Sequence, residues 1–115
     1  MERSDKQTDS AAILVVAGRI DMATSDIFRD RLLATLSGGL PLVIDFSDVD
    51  YISSAGLRAL MVGSKQARSA GTQLVVAALQ PVVLEIFQIS RFDKLLACHP
   101  NVDAALAAVS PGDSG

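Results

Sequence analysis

The sequence predicts a single α/β domain in which about four helices pack on a mostly parallel central sheet of four to five strands. Short apolar runs rich in Val, Ile and Leu alternate with longer stretches whose apolar residues recur at helical spacing. Such alternation is typical of a parallel sheet, because parallel strands need crossover connections that are usually helical. The 115 residues fit one domain. Its ordered core is expected over about residues 11–109, between a polar N-terminal segment and a C-terminal tail.

Four apolar runs are predicted as strands: Ile13–Ile20, Leu42–Phe46, Gln73–Leu79 and the short segment Lys94–Cys98. The run Leu42–Phe46 is too short for a helix and nearly all apolar, as in a strand buried on both faces. We expect a polar loop over Ser47–Ser53. The polar first ten residues are expected to form an edge strand or a tail, and Ser110–Gly115 a frayed end.

Helix start and stop signals separate these strands. A turn at Asp21–Thr24 precedes the first helix, for which Thr24 or Ser25 can act as the N-cap, and the pair Gly38-Gly39 ends it. The second helix is expected from about Ser54 to Ala70, with a glycine directly after it. Its inward stripe is predicted to consist of Leu57, Leu60, Met61 and Ser64.

The third and fourth helices have similar signals. Pro81 suits the first turn of the third helix, and residues 91–93 interrupt its apolar pattern. Asn101 can cap the fourth helix, in which apolar residues recur at i, i+3, i+4 and i+7 up to Val109. The predicted order is therefore β-α-β-α-β-α-β-α.

Charge and composition make several functions improbable. The net charge is −3, the pI is about 4.9, and Lys and Arg form no run. Nucleic-acid binding needs a concentrated basic face, so no nucleic acid is expected as a partner. The one cysteine, Cys98, allows no internal disulfide, and neither a secretory signal nor a membrane-spanning run is recognisable. We therefore expect a cytoplasmic protein without membrane insertion.

Few residues could carry catalysis. His99 is the only histidine and lies next to Cys98, but neighbouring strand residues point to opposite faces and cannot form a nucleophile–base pair. Asp45, Asp48 and Asp50 lack the spacing of a calcium loop and are interpreted as loop and cap residues. We expect no catalytic residue, no metal and no other cofactor.

Two adjacent serines, Ser53 and Ser54, follow a buried strand and an acidic segment at the start of the second predicted helix. One of them would suffice as the N-cap. A phosphate on the other would lie at the positive end of the helix dipole, which accommodates it without unfolding the helix. The residues alone leave two interpretations open: capping and surface hydroxyls, or a site of regulatory phosphorylation.

The stretch Val43–Leu60 resembles the signature of STAS domains, in particular that of the bacterial anti-sigma factor antagonists. The shared pattern is a strand ending in an acid, a hydroxyl residue, an apolar pair, two small polar residues, glycine and leucine. Three further segments resemble the family at the correct spacing: Gly18-Arg19-Ile20-Asp21, Gly71–Ala77 and Arg91–Leu95. The resemblance covers about Ile13–Val109, almost the whole chain.

This resemblance implies a partner-switching cycle. The unmodified protein would bind an anti-sigma factor with serine kinase activity and so free that factor's target. The kinase would then phosphorylate the antagonist and end the binding, and a PP2C-type phosphatase would reset the cycle. On this interpretation the protein is a substrate of other enzymes and not itself an enzyme.

The site residues implied by the resemblance lie around the start of the second helix. The family's phosphorylated serine falls on Ser54, with Ser53 as the runner-up because the family commonly has aspartate there. The early-turn aspartate falls on Asp21 and is expected near that serine. The implied partner-binding residues are Asp21, Ser53, Ser54, Gly56, Arg58 and Met61. The glycine usual in the family's late turn is replaced here by Arg91.

Two alternatives to this cycle remain open from the sequence. STAS modules also serve as scaffolds or as soluble subunits of transport complexes, and these need not be phosphorylated. An enzyme with Ser53 or Ser54 as the nucleophile is disfavoured, because the sequence shows no base to accompany either serine.

Overall fold

A central sheet and the helices around it make up the computed structural model, which describes residues 2–7 and 11–109. The strands are β1 (Glu2–Gln7), β2 (Ala12–Ile20), β3 (Leu42–Ile52), β4 (Leu74–Ala77) and β5 (Cys98–His99). The helices are α1 (Ser25–Leu36), α2 (Ser54–Ser69), α3 (Pro81–Ile89), α4 (Phe92–Leu95) and α5 (Val102–Val109).

The strands lie side by side in chain order. Strands β2 to β5 pair in parallel, and β1 pairs antiparallel with β2 at the edge. The predicted fold class is therefore confirmed, and Glu2–Gln7 takes the edge-strand alternative. The rest of the polar N-terminal segment and the expected frayed end at 110–115 lie outside the described residues. Among the described residues, no helix combines the length and the apolar composition that a membrane span requires.

The two faces of the sheet are covered unequally. On one face, α1, α2, α3 and α4 enclose the larger core, in which Phe87 meets Phe46 and Phe92 edge-on at centroid distances of 6.1 and 6.0 Å. On the other face, α5 alone covers a smaller cluster that contains Ala105 and Val109. This arrangement explains the apolar runs of β3 and β4, whose residues face a core on both sides.

The expected loop at Ser47–Ser53 was wrong, because β3 continues to Ile52. Its later residues pair with β2, but the register shifts between Val15 and Ala17 and again between Gly18 and Arg19. A register shift breaks the two-residue alternation of inward side chains. The buried positions are consequently spaced unevenly along the strand, at Ile44, Phe46, Val49 and Ile52, and the sequence lacks a regular strand pattern here.

The strand expected at Lys94–Cys98 was also misplaced. Residues 92–95 form the single turn α4, closed by a hydrogen bond of 2.9 Å from Leu96 N to Phe92 O, and the strand is limited to Cys98–His99. Arg91 starts this turn in the left-handed conformation, with φ +67°. The strand predicted over Gln73–Leu79 is shorter for a similar reason, since Ala78 has φ +63° and ends β4.

Candidate functional site

Ser53 and Ser54 lie where β3 passes into α2, beside the end of β2. Ile20 and Ile52 are register partners at the ends of these two strands, and Ser53 N donates to Ile20 O at 2.8 Å. Since Asp21 follows Ile20 and Ser53 follows Ile52, the early turn and the serines occupy the same edge of the sheet. This is the neighbourhood that the sequence predicted for Asp21.

Ser53 is the N-cap of α2. Its backbone is extended, with φ −92° and ψ 177°, and its hydroxyl accepts a hydrogen bond of 3.3 Å from Gly56 N. Its carbonyl accepts from Leu57 N at 2.9 Å and so starts the helical hydrogen-bond pattern. An N-cap side chain satisfies one of the amide donors that a helix leaves open at its start. The half-buried Ser53 hydroxyl is thus already engaged.

Ser54 differs from its neighbour in every one of these respects. It is the first residue of α2 and is exposed. The hydrogen bonds found among residues 11–109 leave its hydroxyl without a partner. A group transferred to this oxygen would meet solvent and the open amides of the helix start, where negative charge is favoured.

Gly56 fixes how closely the serines approach the sheet. A Cβ at this position would lie 2.6 Å from Ile52 Cγ1, 2.8 Å from Ile20 Cγ2 and 3.1 Å from Ile20 O. Both isoleucines are fully buried and cannot move aside. Gly56 itself is buried, so the structure gives it a packing role beneath the serines, and its predicted contact with a partner stays a prediction.

Asp21 organises the turn that precedes α1. Its Oδ1 accepts from Ala23 N at 3.0 Å and from Thr24 N at 3.3 Å, while its Oδ2 lies 3.6 Å from Arg19 Nε. The Arg19 guanidinium in turn lies 4.5 Å from the centre of the Tyr51 ring. The half-buried carboxylate is therefore held in place, and no hydrogen bond in the described part of the chain joins it to either serine.

The predicted cap of α1 needs a correction. Thr24 occupies the N-cap position, but its side chain does not cap the helix. Its hydroxyl donates to Arg19 O at 2.9 Å and accepts from Asp21 N at 3.0 Å. Ser25 is the first residue of the helix and is buried. Thr24 thus stabilises the turn, and the Asp21 carboxylate accepts from the amides of Ala23 and Thr24, which precede the first helical residue.

An exposed face of α2 extends from Ser54 along the helix. Ser54, Arg58, Met61 and Lys65 follow one another at spacings of four, three and four residues, which places them on one side of the helix. All four are exposed, Met61 to 38%. The prediction that Met61 belongs to the inward stripe was therefore wrong, whereas Leu57, Leu60 and Ser64 are buried as predicted. Met61 is instead exposed on the same side of α2 as Ser54, and its contact with a partner stays a prediction.

A shallow cleft between α1 and α2 adjoins this face. Its volume is about 120 Å³, and its walls include Asp26 and Arg29 from α1 and Ala55, Arg58 and Val62 from α2. Sequence analysis missed it, because it depends on how the two helices pack. The usable sequence signal was Val62, an apolar residue on the polar side of α2 that is 39% exposed.

The Cys98–His99 pair lies in the short strand β5, which is the outer strand on the side of the sheet away from β1. Burial raises the pKa of the Cys98 thiol, and the negative charge of Asp93 raises it further. Its Sγ lies 3.6 Å from Leu96 O, as a donor. A protonated thiol is a poor nucleophile.

The acids of β3 do not gather into a metal site. Asp45 Oδ1 accepts a local hydrogen bond of 2.9 Å from Ser47 N, and Asp48 and Asp50 are exposed. Within residues 11–109, no group of three or more His, Cys, Asp or Glu side chains is arranged to hold a metal ion. Asp48 and Asp50 lie within the extended part of β3 and not in a loop.

A comparison with known families decides the assignment of this fold. The family model described as "Mlab, STAS domain" matches residues 4–97. The chain belongs to the STAS domain family. The resemblance inferred from the signature and the early turn is thereby confirmed.

Proteins similar to this STAS domain include anti-sigma factor antagonists, and the same fold occurs inside a transporter. BtrV of Bordetella bronchiseptica, described as a candidate anti-sigma factor antagonist, is 33% identical over 109 residues, which are 94% of each chain. An anti-sigma factor antagonist from Mycobacterium paratuberculosis is 28% identical in its crystal structure, with a TM-score of 0.79 over 92% of this chain and 91% of that one. The murine Solute Carrier 26 family member A9 anion transporter shares the fold, with a TM-score of 0.78 and 18% identity over 90% of this chain but 18% of the transporter.

Proposed function

We propose that this STAS domain is a cytoplasmic anti-sigma factor antagonist whose partner binding is switched off by phosphorylation of Ser54. The unmodified protein binds an anti-sigma factor with serine kinase activity and so frees that factor's target. The kinase phosphorylates Ser54 and dissociates, and a PP2C-type phosphatase restores the hydroxyl. The chain itself performs no catalysis in this cycle. The names of the regulators that resemble it over nearly their whole length support this role.

The observation that carries the proposal is that the hydroxyl groups of the two serines have different roles. Ser53 caps the helix with its hydroxyl, and Ser54 presents an unengaged hydroxyl at the exposed tip of the same helix. A kinase needs an exposed hydroxyl group that makes no hydrogen bond on which the stability of the fold depends. Ser54 meets this requirement and Ser53 does not, since its modification would displace the cap of α2.

Phosphate at Ser54 changes the charge of the surface that a partner would cover. A neutral hydroxyl can be buried in an interface, whereas phosphate carries about −1.5 to −2 charges at neutral pH. Burying that charge without a partner cation costs several kcal/mol. In the free protein the open amides of α2 stabilise the phosphate. The switch then requires no change of fold, because the electrostatic change is local.

The first experiment incubates the purified protein with ATP and lysate of its own source, and maps phosphate by peptide mass spectrometry. We expect phosphate on Ser54, no phosphate in Ser54→Ala, and full phosphorylation in the matched control Ser53→Ala. A known antagonist phosphorylated in the same lysate shows that the kinase is active. Phosphate on Ser53 alone would contradict the choice of Ser54, and an unmodified protein beside a phosphorylated control would contradict the cycle.

The alternative role is that of a scaffold or a soluble subunit of a transport complex, without phosphorylation. It is favoured by the presence of the fold within an anion transporter. Co-purification of the tagged chain from its own source separates the two roles. Stable association with a permease, unaffected by Ser54→Asp, would favour the transport role over the switch.

A further inference from the structure

The exposed side of α2 carries only positive charge. Its three charged residues are Arg58, Lys65 and Arg68, all exposed, and the helix contains no Asp or Glu. They follow Ser54 at successive spacings of four, seven and three residues, which places them on one side of the helix over about 21 Å. Since α2 carries +3 in a chain of net charge −3, the other residues together carry −6.

A helix whose charged residues only face water usually mixes the two signs, and α1 shows that arrangement. Arg29 Nη2 lies 3.7 Å from Asp26 Oδ1 and 3.9 Å from Asp30 Oδ1. On α2, the positions three and four residues from each cation hold no acid, and Lys65 and Arg68 are like charges three residues apart. Like charges at this spacing destabilise a helix. The stability of α2 therefore does not explain its cations.

Neighbouring elements do not neutralise this charge either. Asp26 lines the cleft beside Arg58, but its carboxylate contacts Arg29, and the ion pairs found within residues 11–109 leave all three cations of α2 without an acid. Arg68 Nη2 meets only a neutral group there, the hydroxyl of Ser64 at 3.3 Å. The helix dipole favours a cation in the last turn, which applies to Arg68 but not to Arg58 in the second turn.

An apolar side chain interrupts the charged residues. Met61 is 38% exposed and follows Arg58 by three residues and precedes Lys65 by four, on the same side of the helix. Val62, 39% exposed, borders it towards the cleft between α1 and α2. Methionine and arginine are both enriched in protein interfaces, where an apolar centre is surrounded by a polar rim.

We propose that this basic face of α2, formed by Arg58, Met61, Lys65 and Arg68, binds an acidic segment of the anti-sigma factor. The inference rests on the proposed function and adds to it the chemistry of the partner's contact surface. Carboxylates of the segment pair with the three cations, and an apolar residue between them covers Met61. Opposite charges also accelerate the encounter, so binding weakens as the salt concentration rises.

An acidic partner gives the switch at Ser54 its direction. Ser54 lies one helical turn before Arg58 on the same side of α2. Phosphate on Ser54 adds about −1.5 to −2 charges, pairs with the Arg58 guanidinium as opposite charges at this spacing do, and repels the carboxylates of the segment. The charge of the face falls from +3 to about +1, and the partner loses its binding surface.

The test titrates ¹⁵N-labelled protein with a synthetic helical peptide of about 15 residues, the length of the face at the usual rise. The peptide has leucine at every third or fourth position and glutamate elsewhere, and its matched control has glutamine for each glutamate. We expect saturable shifts at the amides of Met61, Lys65 and Arg68 with the glutamate peptide alone, and weaker binding at higher salt.

Substitutions show whether the three cations act as one surface. Arg58→Gln, Lys65→Gln and Arg68→Gln should each weaken binding of the glutamate peptide about two- to fivefold, and the triple variant at least tenfold. Arg91→Gln is the matched control, because it removes one exposed cation outside α2, and its affinity should equal that of the unsubstituted protein. Ser54→Asp should bind at least threefold more weakly than its neutral isostere Ser54→Asn.

Several results would overturn the proposal. An equal loss of affinity in Arg91→Gln, or shifts that do not saturate, would mean general attraction of a polyanion. Tighter binding of vesicles of anionic phosphatidylglycerol through the same cations would assign the face to a membrane. Shifts of the same amides when the protein alone is concentrated would assign it to a second copy of the chain.

The inference and the proposed function can fail separately, because the peptide titration needs neither kinase nor phosphate. The kinase that modifies Ser54, purified from the lysate, should bind Lys65→Gln and Arg68→Gln severalfold more weakly, although neither residue adjoins Ser54. If it binds both variants like the unsubstituted protein, the cycle stands and the acidic contact is wrong. If Ser54 is never modified but the peptide binds as expected, the cycle is wrong and the basic face stands.

Discussion

At the scale of single residues, the clearest departure from the family pattern is Arg91, which stands where the family usually has glycine. Its backbone adopts φ +67° and ψ 17° before α4. For an amino acid with a side chain this left-handed conformation costs roughly 1–2 kcal/mol, whereas glycine adopts it freely. The sequence shows the replacement of glycine by Arg91, and the left-handed backbone of this residue explains why glycine suits the position.

Arg91→Gly should consequently stabilise the protein. Relief of the backbone strain is offset in part by the greater freedom of glycine in the unfolded chain, so we expect a gain of up to about 1 kcal/mol in the free energy of unfolding. Urea denaturation measures it. The control Arg58→Gly, in the middle of α2, should lose about 1 kcal/mol. A loss of stability in Arg91→Gly would contradict the account of this turn.

A substitution at Gly56 should have the opposite effect on stability, because the packing around this position leaves no room for a side chain. Gly56→Ala places a methyl group against two buried isoleucines and should cost about 1–3 kcal/mol through overpacking. Gly38→Ala is the control: the added Cβ would meet Thr35 O at 3.5 Å, an ordinary contact, and stability should change little. Equal effects of the two substitutions on the urea midpoint would contradict the packing role of Gly56.

The thiol of Cys98 gives a prediction for pH. Because burial and Asp93 raise its pKa, the folded protein favours the protonated thiol. This contribution to stability is complete below the pKa of an unfolded thiol and is lost as the pH rises through the raised value. The midpoint of the iodoacetamide labelling rate, followed from pH 7 to 11, should lie higher in the native protein than in urea. Coincident midpoints would contradict the raised pKa.

At the scale of elements, the start of α2 contains both serines of the proposed switch: the N-cap Ser53 and the proposed phosphate acceptor Ser54. The helix was predicted nearly to the residue, because Ser53 and Ser54 at its start and the glycine after it are strong local signals; Gly71 has φ +77°. The end of β3 could not be predicted, since its register shifts against β2 arise from pairing and not from its own sequence. The turn α4 could not be predicted either, because its four residues are too few to show a helical pattern.

The different roles of Ser53 and Ser54 should appear as different changes in the free energy of unfolding when each is substituted. Ser53→Ala removes the cap and should cost about 1 kcal/mol, while Ser54→Ala should change the free energy of unfolding by less than half of that. Ser54→Asp should gain about 0.3–1 kcal/mol, because the new charge lies at the positive end of the helix. Urea denaturation of the three variants provides the comparison. A larger loss in Ser54→Ala than in Ser53→Ala would reverse the assignment.

At the scale of the whole molecule, the parallel sheet was predictable from the alternation of strands and helices, and the site could be predicted only in part. The neighbourhood of Asp21 and the serines follows from the parallel pairing of β2 and β3, which ends both strands at one edge. The cleft between α1 and α2 depends on the packing of separate elements and could not be predicted from either sequence segment alone.

The central claim is that phosphate on Ser54 ends the binding of a partner without changing the fold. The most direct test is to purify the kinase that modifies Ser54 from the lysate and to measure its affinity for the unmodified and the Ser54-phosphorylated protein by isothermal titration calorimetry. We expect at least a hundredfold weaker binding of the phosphorylated form, about 2.7 kcal/mol, with its amide spectrum changed only around the start of α2. Equal affinity of the two forms would contradict the account.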